Sequence, residues 1–168
     1  MNPPLRSPAR RAALYERLVD GRVDVVATDH APHARAEKAA GVWSAPSGVP
    51  GVETMVPLLL ARARDEADPL TVDRVCEATA RAPADRLGLP SKGRIAPGAD
   101  ADVVLYESAE RPVRGDALHS RCRWTPFEGR AGVFPSLTLL RGEVAYERRG
   151  GTERFGPARG RNACAESG

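Results

Sequence analysis

The chain has 168 residues, with 25 Lys and Arg against 22 Asp and Glu and a net charge of +3. That length suits one ordinary domain and falls short of the roughly 250 residues of a complete (β/α)8 barrel. The mild basic excess is spread along the chain, which argues against nucleic-acid binding. No apolar run reaches the roughly 20 residues that span a bilayer, and no signal peptide is visible.

Residues 1–7 form an extended, proline-bound start, because Asn2 precedes Pro3 and is biased away from helix. Residues 8–20 read as an amphipathic helix with Ser7 as N-cap, Pro8 at its first position and Gly21 closing it. Leu14 and Leu18 would share the buried face. Residues 23–28 are apolar and β-branched, the pattern of a strand buried on both faces. A polar loop follows over residues 34–46 and turns through Ser47-Gly48-Val49-Pro50-Gly51. Loops of this length in compact enzymes are commonly lids or binding loops, and Gly48 and Gly51 let the backbone approach a ligand closely. Helices are expected over 52–66, 71–79 and 83–87, the last with Pro83 in its first turn and Gly88 as its stop. Beyond Gly93 the chain changes to short strands: 102–107, then 136–141 paired with 143–147 across Gly142. Past Arg148 it becomes rich in Gly, Arg and Ala and reads as a disordered tail.

The chemistry concentrates where the 23–28 strand ends. Asp29, His30, Pro32 and His33 follow an apolar run directly, and ionisable groups at a strand end are aimed by the strand and exposed by the loop. A carboxylate there can bind a metal, hold a proton from a metal-bound water, or both. Other polar residues carry less. Cys76 reads as a small core hydrophobe and His119 as structural or surface. Asp100 and Asp102 stand at a turn entering a strand, where turn hydrogen bonding explains them better than metal binding. Cys76, Cys122 and Cys164 are odd in number and far apart, as in reduced cytosolic thiols rather than a disulfide frame or zinc knuckle.

Thr28-Asp29-His30-Ala31-Pro32-His33 resembles the final active-site strand of class I dihydroorotases, members of the amidohydrolase superfamily. Asn2-Pro3-Pro4-Leu5-Arg6, Ser47-Gly48-Val49-Pro50-Gly51-Val52-Glu53-Thr54, the stretch from Lys92 to Leu105 and Trp124-Thr125-Pro126-Phe127-Glu128-Gly129 fit the same family in the same order. The resemblance implies an α/β fold: the C-terminal part of a metal-dependent (β/α)8 barrel over residues 1–88, and strands of the small amidohydrolase β-domain over 89–147. Residues 148–168 would be the tail, and the barrel would be incomplete in this chain. It implies zinc-dependent opening or closure of the cyclic amide linking dihydroorotate and N-carbamoyl-L-aspartate, in cytoplasmic pyrimidine synthesis. Asp29 would be both metal ligand and general acid/base. His33 would meet the substrate carboxylate, Asn2 the pyrimidine ring, and Ser47 and Gly48 the substrate through main-chain groups, with His30 supporting the site from behind. Family members commonly carry a larger apolar residue where Ser47 stands.

One carboxylate does not hold a catalytic zinc, which takes about three protein ligands. The family draws the others from earlier barrel strands, including a His-x-His pair absent from this sequence. The sequence is therefore expected to be a C-terminal fragment, poorly folded and without catalytic zinc when alone, and completed by an N-terminal fragment. A homo-oligomer or a complex with aspartate transcarbamoylase is the other association the family suggests. Two rival readings stand beside dihydroorotase: another cyclic-amide hydrolase such as allantoinase or hydantoinase, and a non-catalytic dihydroorotase-like chain.

Overall fold

The computed structural model describes residues 1–157 and 160–163. Its first helix, α1 (Pro8–Val19), begins and ends where the capping residues dictate: Ser7 accepts from the Arg10 N–H, and Gly21 follows in the left-handed region at φ 81°. Leu18 is buried, but Leu14 is 60% exposed, so the two do not share an inward face. Tyr15 takes that place. Its ring lies under the Arg62 guanidinium, 3.9 Å from its centroid, and its hydroxyl donates to Asp68. Arg62 also pairs with Asp68, whose side chain is only 9% exposed. Burial and the Asp68 hydrogen bond push the Tyr15 phenol up to about 12. Burial acts to raise the Asp68 carboxyl, but hydrogen bonds from Tyr15, the Leu70 N–H and Arg62 outweigh it and hold it below its ordinary value.

After a single turn, α2 (Arg35–Lys38), come α3 (Met55–Arg64) and α4 (Val72–Cys76). The two helices expected over 71–79 and 83–87 are one continuous run. α4 passes through a π-helical turn, Glu77–Arg81, into α5 (Ala82–Arg86). Pro83 accounts for this: it lacks an N–H and its ring crowds the carbonyl four residues back, so an α-register there is unfavourable. The Ala82 N–H instead reaches back five residues to the Glu77 carbonyl. In that register the Ala78 carbonyl would look to Pro83, which has no proton to give. It accepts the Val26 N–H at 3.0 Å instead.

Residues 23–28 are the main departure from expectation. They take no regular secondary structure, and no ladder forms among the described residues. Val26 is held by Ala78 and Val23 by the Arg17 carbonyl, while Arg74 donates to the Leu18 and Val23 carbonyls. Val25 is 38% exposed, so the segment is not buried on both faces.

The second half forms a four-stranded antiparallel sheet in the order β1 (Val103–Tyr106), β4 (Pro135–Leu140), β5 (Glu143–Arg149), β6 (Thr152–Phe155). A small ribbon pairs β2 (Arg111–Pro112) with β3 (Ala131–Gly132). The expected hairpin is present, turned by Arg141 and Gly142 at φ 51° and 81°, the two left-handed positions a tight hairpin needs. A second such turn, Gly150-Gly151, returns the chain as β6, which pairs Arg149 with Thr152 and Tyr146 with Phe155. The disordered tail expected over 148–168 is therefore wrong through Phe155. Residues 158, 159 and 164–168, Cys164 among them, lie outside the described residues.

Val133 sits in one core with Leu18, Leu60, Leu70, Val75 and Ala78, and Tyr106 packs against it. Helices and strands thus share a core. The Val133 N–H donates to the Pro57 carbonyl at 3.0 Å. Entry to the sheet is closed by Lys92, which pairs with Asp100 at 2.9 Å and Asp102 at 2.5 Å. Asp102 also accepts the Arg141 N–H, and Asp100 accepts from the Ser91 hydroxyl. Both carboxylates are employed in the turn, as the sequence indicated.

Candidate active site

The site is built where the 23–28 segment ends. Asp29 is exposed and adopts φ 46°, a left-handed conformation that non-glycine residues take sparingly and Asp more readily than most. This turn sends His30 alongside residues 48–52. His30 and Val49 form a parallel bridge, and the Ala31 N–H donates to the Val49 carbonyl at 3.1 Å. The fit is close. A Cβ on Gly48, at φ 104°, would stand 2.4 Å from the Ala31 Cβ, so only glycine is accommodated. Gly51 lies against Thr28, where a Cβ would come within 3.3 Å.

Of the residues expected to act, the structure brings Asp29, His30 and Gly48 into one neighbourhood through these contacts. Ser47 is exposed beside Gly48. His33 is half-buried, and its main chain is pinned from both sides: its N–H donates to the Ala31 carbonyl and its carbonyl accepts from the Trp124 indole at 2.8 Å. Asn2 lies exposed ahead of α1, and no hydrogen bond ties it to the 29–33 loop among the described residues. His30 turns its Nδ1 toward the Gly51 and Val52 N–H groups.

Two residues around the site were not singled out by sequence. Lys38 donates to the Pro46 and Gly48 carbonyls at 2.7 and 3.0 Å, fastening the loop from beneath. A lone lysine in a polar loop gives no sign of this. Glu53 accepts the His119 and Ser120 N–H groups, both at 3.0 Å, and its carboxylate meets His119 Nδ1 at 2.8 Å. Glu153 meets the other ring nitrogen at 3.1 Å. His119 lines an open cavity of about 450 Å³ with Val56, Phe134, Tyr146 and Phe155. Burial acts to lower the His119 imidazole, but the two carboxylates outweigh it and hold its pKa above the ordinary value. The reading of His119 as structural agrees with these contacts.

Over 149 residues, 88% of its length, the chain is 62% identical to the dihydroorotase of Halobacterium salinarum. The chain is homologous to about a third of a dihydroorotase. The dihydroorotase of Methanosarcina acetivorans is 47% identical over 149 residues and that of Geobacillus thermodenitrificans 40% over 150, matching 87% and 88% of the chain. The chain spans 32–35% of the length of these curated relatives. No family model matches the sequence. Among solved structures, the D-hydantoinase (dihydropyrimidinase) of a Thermus species superposes with a TM-score of 0.83 at 31% identity, covering 93% of this chain and 35% of that one. The L-hydantoinase of Arthrobacter aurescens gives a TM-score of 0.78 at 30% identity, covering 86% and 33%. The dihydroorotase-related chain thus has the α/β fold of a C-terminal portion of the amidohydrolase barrel proteins.

Such hydrolases depend on metal. Among the described residues no group of three or more His, Cys, Asp or Glu side chains is placed to hold an ion. A catalytic zinc takes about three protein donors, a set the described residues of this dihydroorotase-related chain do not display. No helix among the described residues is long and apolar enough to cross a membrane.

Proposed function

We propose that the chain is the part of a dihydroorotase that supplies the proton-transferring carboxylate, Asp29, together with the loops that seat the substrate. Ring opening requires water to lose a proton as it attacks the amide carbonyl, and the ring nitrogen to gain one as the C–N bond breaks. Asp29 does both in turn, accepting the proton from water and returning it to nitrogen; the same carboxylate runs the reverse sequence when N-carbamoyl-L-aspartate closes. His33 suits the substrate carboxylate, since an imidazole N–H donates to an anion. Main-chain groups at Ser47 and Gly48 hold the ring, and Asn2 reaches it from the exposed N-terminal segment. Zinc, the cofactor this reading implies, supplies carbonyl polarisation and an acidified water, with Asp29 as one of its ligands and the others from outside these residues. Cytoplasmic pyrimidine synthesis is the setting, with a polypeptide carrying the remaining barrel strands as the partner.

The observation that carries this reading is Asp29 held in a left-handed conformation at the open end of its segment, with residues 48–52 bound alongside. Sequence identity favours dihydroorotase over hydantoinase: 62% against the former from Halobacterium salinarum and 31% against the hydantoinase from Thermus.

The deciding experiment replaces the matching third of the Halobacterium salinarum dihydroorotase with this chain. A folded, zinc-loaded chimera should turn over dihydroorotate and leave hydantoin and allantoin nearly untouched. Asp29→Asn should then lower kcat by about 10²–10⁴-fold. A folded chimera preferring hydantoin would replace the assignment. One inert towards all three, yet retaining a transcarbamoylase, would favour the non-catalytic reading.

A further inference from the structure

The imidazole of His30 faces two main-chain donors at once. The Gly51 N–H lies 3.0 Å from Nδ1 and the Val52 N–H 3.3 Å. A backbone N–H only donates, so Nδ1 is the acceptor of both and the ring proton sits on Nε2. These two N–H groups open the helical turn ahead of α3: the Thr54 and Met55 N–H groups already reach back to the Gly51 carbonyl. First-turn N–H groups have no partner within their own helix. His30 supplies one from the neighbouring segment, where a Ser or Asp N-cap would otherwise stand.

We propose that His30 is a positioning residue: its Nδ1 caps the turn at Gly51 and Val52 and so fixes residues 47–52 against the segment end that carries Asp29. Among the described residues three other contacts hold this stretch, and all lie nearer its start: the Val49 carbonyl on the Ala31 N–H, the close approach of Gly48 to Ala31, and Lys38 on the Pro46 and Gly48 carbonyls. At the far end, among the described residues, His30 is accompanied by the close approach of the Gly51 main chain to Thr28, where an added Cβ would come within 3.3 Å. The imidazole therefore sets how far the loop stands from Asp29 and where α3 begins. Glu53 follows immediately and holds the His119 and Ser120 N–H groups, so the same cap governs the reach of the loop into the second half of the molecule. The consequence for substrate affinity rests on the dihydroorotase reading above; the cap itself does not.

Side-chain geometry gives a discriminating series. Asn places an amide oxygen where the imidazole carries Nδ1, Gln places it nearer the position of Nε2, and Leu removes the acceptor. Amide hydrogen exchange on the full chain should show His30→Asn retaining protection at Gly51 and Val52, while His30→Gln and His30→Leu lose it by about tenfold, the worth of one lost hydrogen bond. In the active chimera His30→Leu should raise KM about tenfold with kcat within about threefold, and His30→Asn should restore KM. Unchanged amide protection in His30→Leu overturns the proposal. So does a kcat loss shared equally by Asn, Gln and Leu, which would make Nε2 a group of the chemistry itself. Lost protection with unchanged KM overturns the link to substrate. A chimera without any turnover would count against the hydrolase reading, and the exchange measurement would still decide the cap.

Discussion

The indole Nε1–H of Trp124 donates to the main-chain carbonyl of His33 at 2.8 Å, joining residues 91 apart in sequence. The loop that carries the proposed substrate-binding histidine is thus held by the turn that begins the Thr125-Pro126-Phe127-Glu128-Gly129 stretch. Trp124→Phe keeps the ring's bulk and removes the donor. It should cost about 1 kcal/mol, read as a lower denaturation midpoint, with faster amide exchange confined to the 33–35 region. An unchanged exchange pattern there would mean the loop is held by other contacts.

Lys92 stands between Asp100 and Asp102 with side-chain exposures of 20%, 26% and 29%. Removing the cation in Lys92→Met leaves two carboxylates without their shared partner at the mouth of β1 and should lower the urea midpoint. Adding Asp100→Asn to that variant should recover part of the loss. Strict additivity of the two changes in urea melts would count against the cluster acting as a unit.

Gly48→Ala meets two obstacles together, the left-handed backbone and the Ala31 Cβ. A cost of about 1–3 kcal/mol is expected, because main chain as well as side chain must shift. Gly150→Ala has open space around it and only the backbone term to bear. It should be milder; equal losses would mean the approach to Ala31 is unimportant.

The His119 clasp gives a pH dependence with a definite sign. His119 titrates above its ordinary 6.5 in the folded chain, so its contribution is complete below that value and is lost as pH rises through the raised one. Glu153 is held below its ordinary 4.5: burial would raise it, but Tyr146 and His119 prevail. Its contribution is present above 4.5 and fades as pH falls through the lowered value. Protection of the β6 amides should accordingly be greatest between pH 4.5 and 6.5 and weaken on either side. In His119→Gln the loss on the alkaline side should vanish. A flat profile in the unsubstituted chain would remove the clasp from any account of β6.

The isolated chain should bind zinc weakly, since among the described residues no two further protein donors stand beside Asp29. Calorimetric titration yielding one tightly bound zinc per chain would reveal a donor set that the described residues do not display.

Much of this architecture was legible from local chemistry. Ser7, Pro8 and Gly21 bracket α1, and Gly142 marks the β4–β5 turn, because caps and left-handed turns are decided within a few residues. The Asp29 cluster was visible for a similar reason: polar groups abruptly end an apolar run. Other features depend on distant partners. Residues 23–28 have strand composition, yet their hydrogen bonds run to a helix carbonyl at Ala78 and to Arg17, which no periodicity records. β6 has the composition of a disordered tail, and all four of its residues are exposed; it forms because Gly150-Gly151 folds it back onto β5 and Glu153 finds His119 and Tyr146. Trp124, Lys38 and Glu53 act through contacts spanning 8 to 91 residues. Tyr15 displaced Leu14 from the core because a hydrogen-bonded phenol filled the space beside Asp68.

Pro83 makes the helix between Val72 and Arg86 skip a beat, and the carbonyl released at Ala78 is the one that catches Val26. The address of Asp29, three residues further on, is therefore written in a helix about fifty positions away. A chain in which Pro83→Ala lets that helix regain its regular winding would keep every side chain around Asp29 and lose the tether at Val26.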